Sequence, residues 1–91
     1  MKPAVAGKKV RIQNVSTEQT IKASAGTLHR VLLSNGGASA RTLTLTDGST
    51  VQNVINLPAS ATLSMDVGVR FATSIKVTPS HADVDALVMY D

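Results

Sequence analysis

Two histidines, six carboxylates and a scatter of serines are the groups in this sequence with chemistry to offer. A Ser-His-Asp triad draws on those types, yet no Gly-x-Ser-x-Gly elbow is present to lift a serine out of a strand-to-helix turn. His29 lies inside an apolar run, Leu28-His29-Arg30-Val31-Leu32-Leu33, where a packed or surface imidazole is the plainer reading than a general base. His81 follows Pro79 in a turn and reads as solvated. Asp83 and Asp85 alternate onto one side of a strand, but calcium asks for about six to eight converging oxygens, so a polar strand face is expected instead. Zinc lacks a ligand set, because there is no cysteine and the two histidines are far apart. No glycine-rich phosphate cradle with its following lysine occurs. The chain is therefore expected to be non-enzymatic, with no catalytic residue, no cofactor and no metal.

What positions these groups is a small amount of protein. The 91 residues make one domain. A chain of this size buries only about 60–65% of the surface exposed in its unfolded form, so its core is modest. Small domains usually add disulfides, a metal or oligomerisation. The first two find no residues here, which leaves association with copies or with a larger assembly. No apolar run nears the roughly 20 residues of a membrane span. Met1 to Lys9 lacks the apolar stretch of a secretory signal, so a soluble chain made in a cytoplasm is expected.

Periodicity decides the fold class. Leu63-Ser64-Met65-Asp66-Val67-Gly68-Val69-Arg70-Phe71 alternates apolar with polar or small residues, the two-residue period of a half-buried strand. Arg41-Thr42-Leu43-Thr44-Leu45-Thr46 repeats the rule, with β-branched threonines suited to an exposed pleated face. Lys9 to Gln13, Thr20 to Ala23, Leu28 to Leu33, Val51 to Leu57, Ser74 to Thr78 and Val84 to Tyr90 read as further strands. No window carries a helical stripe. Asn35-Gly36-Gly37-Ala38-Ser39 reads as a loop whose glycines reach positive φ, Asp47-Gly48 as a hairpin turn, and Gly68 as a bulge. The expectation is an all-β, antiparallel, jelly-roll-like β-sandwich of seven or eight strands spanning residues 9–91, preceded by a flexible basic N-terminal arm over residues 1–8.

Two features point outward. The net charge is +3, but the chain is +6 through residue 45 and −3 beyond it, and Lys2, Lys8, Lys9 and Arg11 crowd its start. Surplus apolar surface is the second. Alternation in the third strand puts His29, Val31 and Leu33 on one face and Leu28, Arg30 and Leu32 on the other; in the last strand Leu87 and Met89 oppose Val84, Ala86, Val88 and Tyr90. A free sandwich keeps its outer faces polar, so Leu28, Leu32, Leu87 and Met89 are expected to meet a loop or a protein partner. A calculated pI of 9.7 raises the question of nucleic acid. Binders of single strands stack bases on sheet-face aromatics, and here Phe71 and Tyr90 are the only aromatics, so nucleic acid is not expected. The same scarcity counts against a glycan platform.

The run from Ile21 to Leu33, the stretch Thr42 to Gly48 and the closing Val84-Asp85-Ala86-Leu87-Val88-Met89-Tyr90 resemble small β-sandwich virion proteins of tailed bacteriophages. The resemblance covers roughly residues 20–91 and rests on strand and turn motifs, which specify fold better than role. It implies a capsid decoration or cement protein on the virion surface, a homo-oligomer (trimer or dimer) bound to the major capsid protein. The arm would lie along a shell surface and the apolar strand faces would join subunits. The alternative under the same resemblance is a receptor- or glycan-binding module of a tail fibre, or a head–tail or tail accessory protein.

Overall fold

A computed structural model gives the placement of residues 8–91. Eight strands follow one another, β1 (Lys8–Ile12), β2 (Gln19–Lys22), β3 (Gly26–Asn35), β4 (Arg41–Asp47), β5 (Thr50–Leu57), β6 (Thr62–Phe71), β7 (Ile75–Pro79) and β8 (Val84–Tyr90), with no helix among the described residues. The pairings nest. β4 and β5 form the innermost hairpin, β3 pairs with β6, β2 with β7 and β1 with β8, all antiparallel. This long ribbon rolls up because β3 also pairs with β8 and β4 with β7. Two four-stranded sheets result, sheet A in the order β1-β8-β3-β6 and sheet B in the order β2-β7-β4-β5. That order is the jelly roll, so the all-β sandwich expected from alternation is the fold observed.

The sheets close on Leu28, Val31 and Leu33 of β3, Leu43 and Leu45 of β4, Ile55 and Leu57 of β5, Phe71, Ile75 and Val77, and Val84, Ala86 and Val88 of β8, with Ile12 at the margin. Burial of these side chains stabilises the fold by about 25 cal/mol per Å² of apolar surface removed from water. The Asp47-Gly48 turn forms as its sequence suggests. Gly48, first of two turn residues, has φ +63°, the sign a type II′ hairpin turn demands. Asp47 then ties this hairpin to the β6–β7 turn, accepting the backbone N–H groups of Ala72 (2.9 Å), Thr73 (2.9 Å) and Ser74 (3.3 Å).

Two local expectations are corrected. Leu28 was expected outside, with Arg30 and Leu32; it is fully buried. The reason is a register shift between Leu28 and Arg30 in the pairing of β3 with both neighbours. One residue of β3 is skipped there against β8, so strict alternation fails, His29 and Arg30 both turn outward, and Leu28 joins the core. Gly68, φ +60°, sits in the matching irregularity of β6, where the glycine was read as a bulge. The second correction concerns Gly36 and Gly37, neither of which has positive φ. Gly37 is small for another reason, since a Cβ there would collide with the Asp83 carboxylate.

Lys8 pairs with Tyr90 in β1 and so belongs to the sandwich, one residue earlier than expected. The rest of the expected arm, Lys2 included, lies outside the described residues.

Candidate functional site: the outer face of sheet A

Pairing across sheet A brings together residues that are distant in sequence. One row runs Arg11, Leu87, Leu32, Ser64 and the next runs Lys9, Met89, Arg30, Asp66. Adjacent strands lie about 4.8 Å apart, so Leu32, Leu87 and Met89 form one half-buried apolar cluster in the middle of the sheet, with Lys9, Arg11 and Arg30 beside it. Of the residues expected at an interface, Lys9, Arg11, Leu32, Leu87 and Met89 share this face. Leu28 does not.

The cations differ in how they are held. The Arg11 guanidinium grips Asp85 with two bonds, from Nε (3.0 Å) and Nη2 (2.5 Å). This contact holds the Asp85 carboxyl below its ordinary pKa and raises that of Arg11. Arg30 Nε lies 3.2 Å from Asp66 Oδ1. Lys8, Lys9 and Arg70 have no acidic partner among the described residues. The opposite surface of the molecule is different in kind. On sheet B the outward rows read Thr20, Lys76, Thr46, Val51 and Thr78, Thr44, Val54, a polar face with two exposed valines at its β5 edge.

The groups with catalytic chemistry do not converge. His29 Nε2 lies 3.3 Å from Asp91 Oδ2, by the far end of β8 from His81. His81 Nδ1 accepts the Asp83 backbone N–H at 3.0 Å. The same nitrogen lies 3.2 Å from the Asp83 carboxylate, so both contacts stay within the His81–Asp83 turn. Asp83 contacts Arg41 and His81 while Asp85 serves Arg11, so the two carboxylates have separate partners. Among the described residues no three His, Cys, Asp or Glu side chains cluster as a metal would require. Both aromatics pack inward, Phe71 fully buried and Tyr90 against the core.

A second surface was not foreseen. The apolar side of β6 read as core, yet only Phe71 is fully buried; Leu63 is 36% and Val69 40% exposed, with Met65 and Val67 half-buried. β5 and β6 are edge strands of opposite sheets on the same side of the sandwich. Between them lies a cleft of about 220 Å³ lined by Leu45, Ile55, Met65, Val67, Val69 and Phe71, with Gln52, Asn53 and Asp66 also lining it.

Comparison of the chain with protein-family models, with curated proteins and with solved structures returned no match.

Proposed function

We propose that this protein is a non-enzymatic structural module that docks on a larger protein assembly through the outer face of sheet A, and that the assembly is a tailed-phage capsid decorated by it. The observation that carries the docking reading is the contrast between the two outer faces. Sheet B shows water mostly threonine, with Val51 and Val54 confined to its β5 edge, whereas sheet A sets Leu32, Leu87 and Met89 side by side at its middle among three cations. An apolar centre with a charged, hydrogen-bonding rim is the anatomy of a protein–protein contact. Arg11 and Arg30 are engaged by Asp85 and Asp66, so Lys9 is the cation of this face that favours an acidic group on the partner. The jelly-roll strand order agrees with the resemblance to virion accessory proteins, since that architecture recurs in viral shells, although lectins and other families share it. Each contact of this kind is weak alone, and repetition on a lattice strengthens it through effective concentration.

The test uses capsids of the phage that carries the gene, prepared without this protein. Added protein should bind them and raise the temperature at which they fall apart. Replacing Leu32 and Leu87 together by serine should abolish binding while the soluble domain still melts cooperatively. Removing residues 1–7, which carry Lys2, in a separate variant should lower occupancy if that segment contributes to anchoring. Capsids that neither take up the intact protein nor gain heat resistance would sink the role.

A further inference from the structure

We propose that β6 is the seam of a two-fold dimer, in which two copies of this chain pair edge to edge and make one continuous eight-stranded sheet from their two A sheets. The seam is the free edge of sheet A and shares only Asp66 with the outer-face rows described above, and its test needs no shell. An unpaired sheet edge offers a row of backbone donors and acceptors, and proteins normally blunt such edges with lysines, bulges or brevity. All four edges of this sandwich carry some such feature, β6 the least. β1 carries Lys8 and Lys9 in a five-residue strand, β2 has four residues, and β5 is bulged where Gln52 is skipped between the Leu45–Asn53 and Thr46–Val51 pairs. β6 is interrupted as well, at Gly68, yet it is the longest edge, ten residues without a lysine, and it exposes apolar side chains that face inward.

Charge decides the partner. With Gly68 on the two-fold axis, an antiparallel β6–β6 ladder sets Asp66 of each copy opposite Arg70 of the other and Val67 opposite Val69. The faces agree. Asp66 and Arg70 both lie on the outer side, opposite Arg30 and Thr27 of β3, while Val69 and Met65 both lie on the inner side, opposite Leu28 and Val31. Arg70 has no acidic partner among the described residues, and Asp66 keeps a side chain that is 85% exposed although it touches Arg30. Moving the axis by one residue either way would oppose Asp66 to Gly68 or Arg70 to Gly68, and by two would oppose like charges. Such an isologous arrangement is self-complementary, and it closes rather than growing into a fibre. Gly68 suits the axis because nothing lies within 4 Å of the place a Cβ would occupy, so two backbones can approach there while residues on either side carry the ladder. The two clefts beneath β6 would then face one another, covering Val67 and Val69.

Sedimentation equilibrium on the full chain at low salt, over a wide concentration range, tests this. A monomer–dimer equilibrium is expected. Arg70→Asp places two carboxylates face to face twice per dimer and should weaken association roughly tenfold or more; Asp66→Arg should do the same with two cations. Mixing those two variants should restore dimers to near the original affinity, because every opposed pair is again Asp with Arg. Thermal melts of each variant confirm that its fold is intact. A chain that stays monomeric throughout, a dimer indifferent to Arg70→Asp, or a mixture no tighter than the separate variants each overturns the seam.

Discussion

Replacing Asn35 by alanine should destabilise the domain far more than its place at a strand end suggests. Asn35 is the last residue of β3, 1% exposed. Its amide nitrogen donates to the carbonyls of Ser39 (2.8 Å), Pro58 (3.1 Å) and Leu57 (3.3 Å), and its oxygen accepts the Gly37 N–H at 3.0 Å. One side chain thus fastens the β3–β4 loop to the β5–β6 turn, where Ser60 holds φ +55° and donates its N–H to the Gly37 carbonyl. Truncation leaves buried carbonyls and an N–H unpaired, at about 1–3 kcal/mol for each fully buried group. Only the Leu57 bond is fully enclosed, and water can reach the others. The net cost should therefore be about 2–4 kcal/mol, which lowers the melting temperature of a domain this size by roughly 10–25 °C. Urea melts followed by circular dichroism measure it, the chain having no tryptophan. Asn35→Asp sharpens the test. At neutral pH its carboxylate would face three carbonyls, so its folded-state pKa must lie above the unfolded value of about 3.9. Its penalty is absent below that value and grows as pH rises through the folded pKa. The aspartate variant should be the less stable of the two at pH 7 and regain ground at pH 3–4. Asn35→Ala within about 0.5 kcal/mol of the parent, the scatter of ordinary surface changes, would refute the reasoning.

Leu28→Ala should cost about 2–5 kcal/mol as a buried truncation, whereas Leu32→Ala, four residues on and facing outward, should cost less than about 1 kcal/mol; equal losses in denaturant melts would contradict the placement of the bulge. Asp47 and Asp85 are both held below their ordinary pKa, Asp47 by the backbone N–H groups of Ala72, Thr73 and Ser74 and Asp85 by Arg11. A depressed carboxyl stabilises the fold above its unfolded pKa and loses that contribution as pH falls through its folded one. Melting temperature should drop with acid from about pH 4 downward, and less steeply in the Asp47→Asn, Asp85→Asn double variant; parallel slopes would show that neither contact matters.

Alternation made most of this molecule readable. The Thr/Leu rhythm of β4 and the Asp47-Gly48 turn located the innermost hairpin, and the remaining strands followed from the same two-residue period. Parity failed at Leu28 because a skipped residue reverses every face beyond it, and a skip has no apolar signature of its own. Gly68 hinted at a bulge in β6 but could not say which side of β3 it would invert. The cleft was hidden for a related reason. A period of two shows which way Leu63, Met65, Val67 and Val69 point, and it is silent on whether another strand lies beyond them. The cluster of Leu32, Leu87 and Met89 was half legible. Each residue was visibly surplus to its strand, while their meeting depends on β8 pairing with β3, a contact between segments more than fifty residues apart.

The rolled ribbon also sets the order in which the protein can be completed. β8 is made last of the eight strands, yet it sits inside sheet A, between β1 and β3. Until it is released from the ribosome, β1 has no neighbour to hold it, β3 lacks one of its two, and the core misses Val84, Ala86 and Val88. Closure must then join chain segments far apart in sequence, a search that takes milliseconds to seconds in β-rich domains. Newly translated copies therefore pass through an interval with an open, sticky interior, and crowding many of them together during that interval is the moment of greatest risk for misassembly.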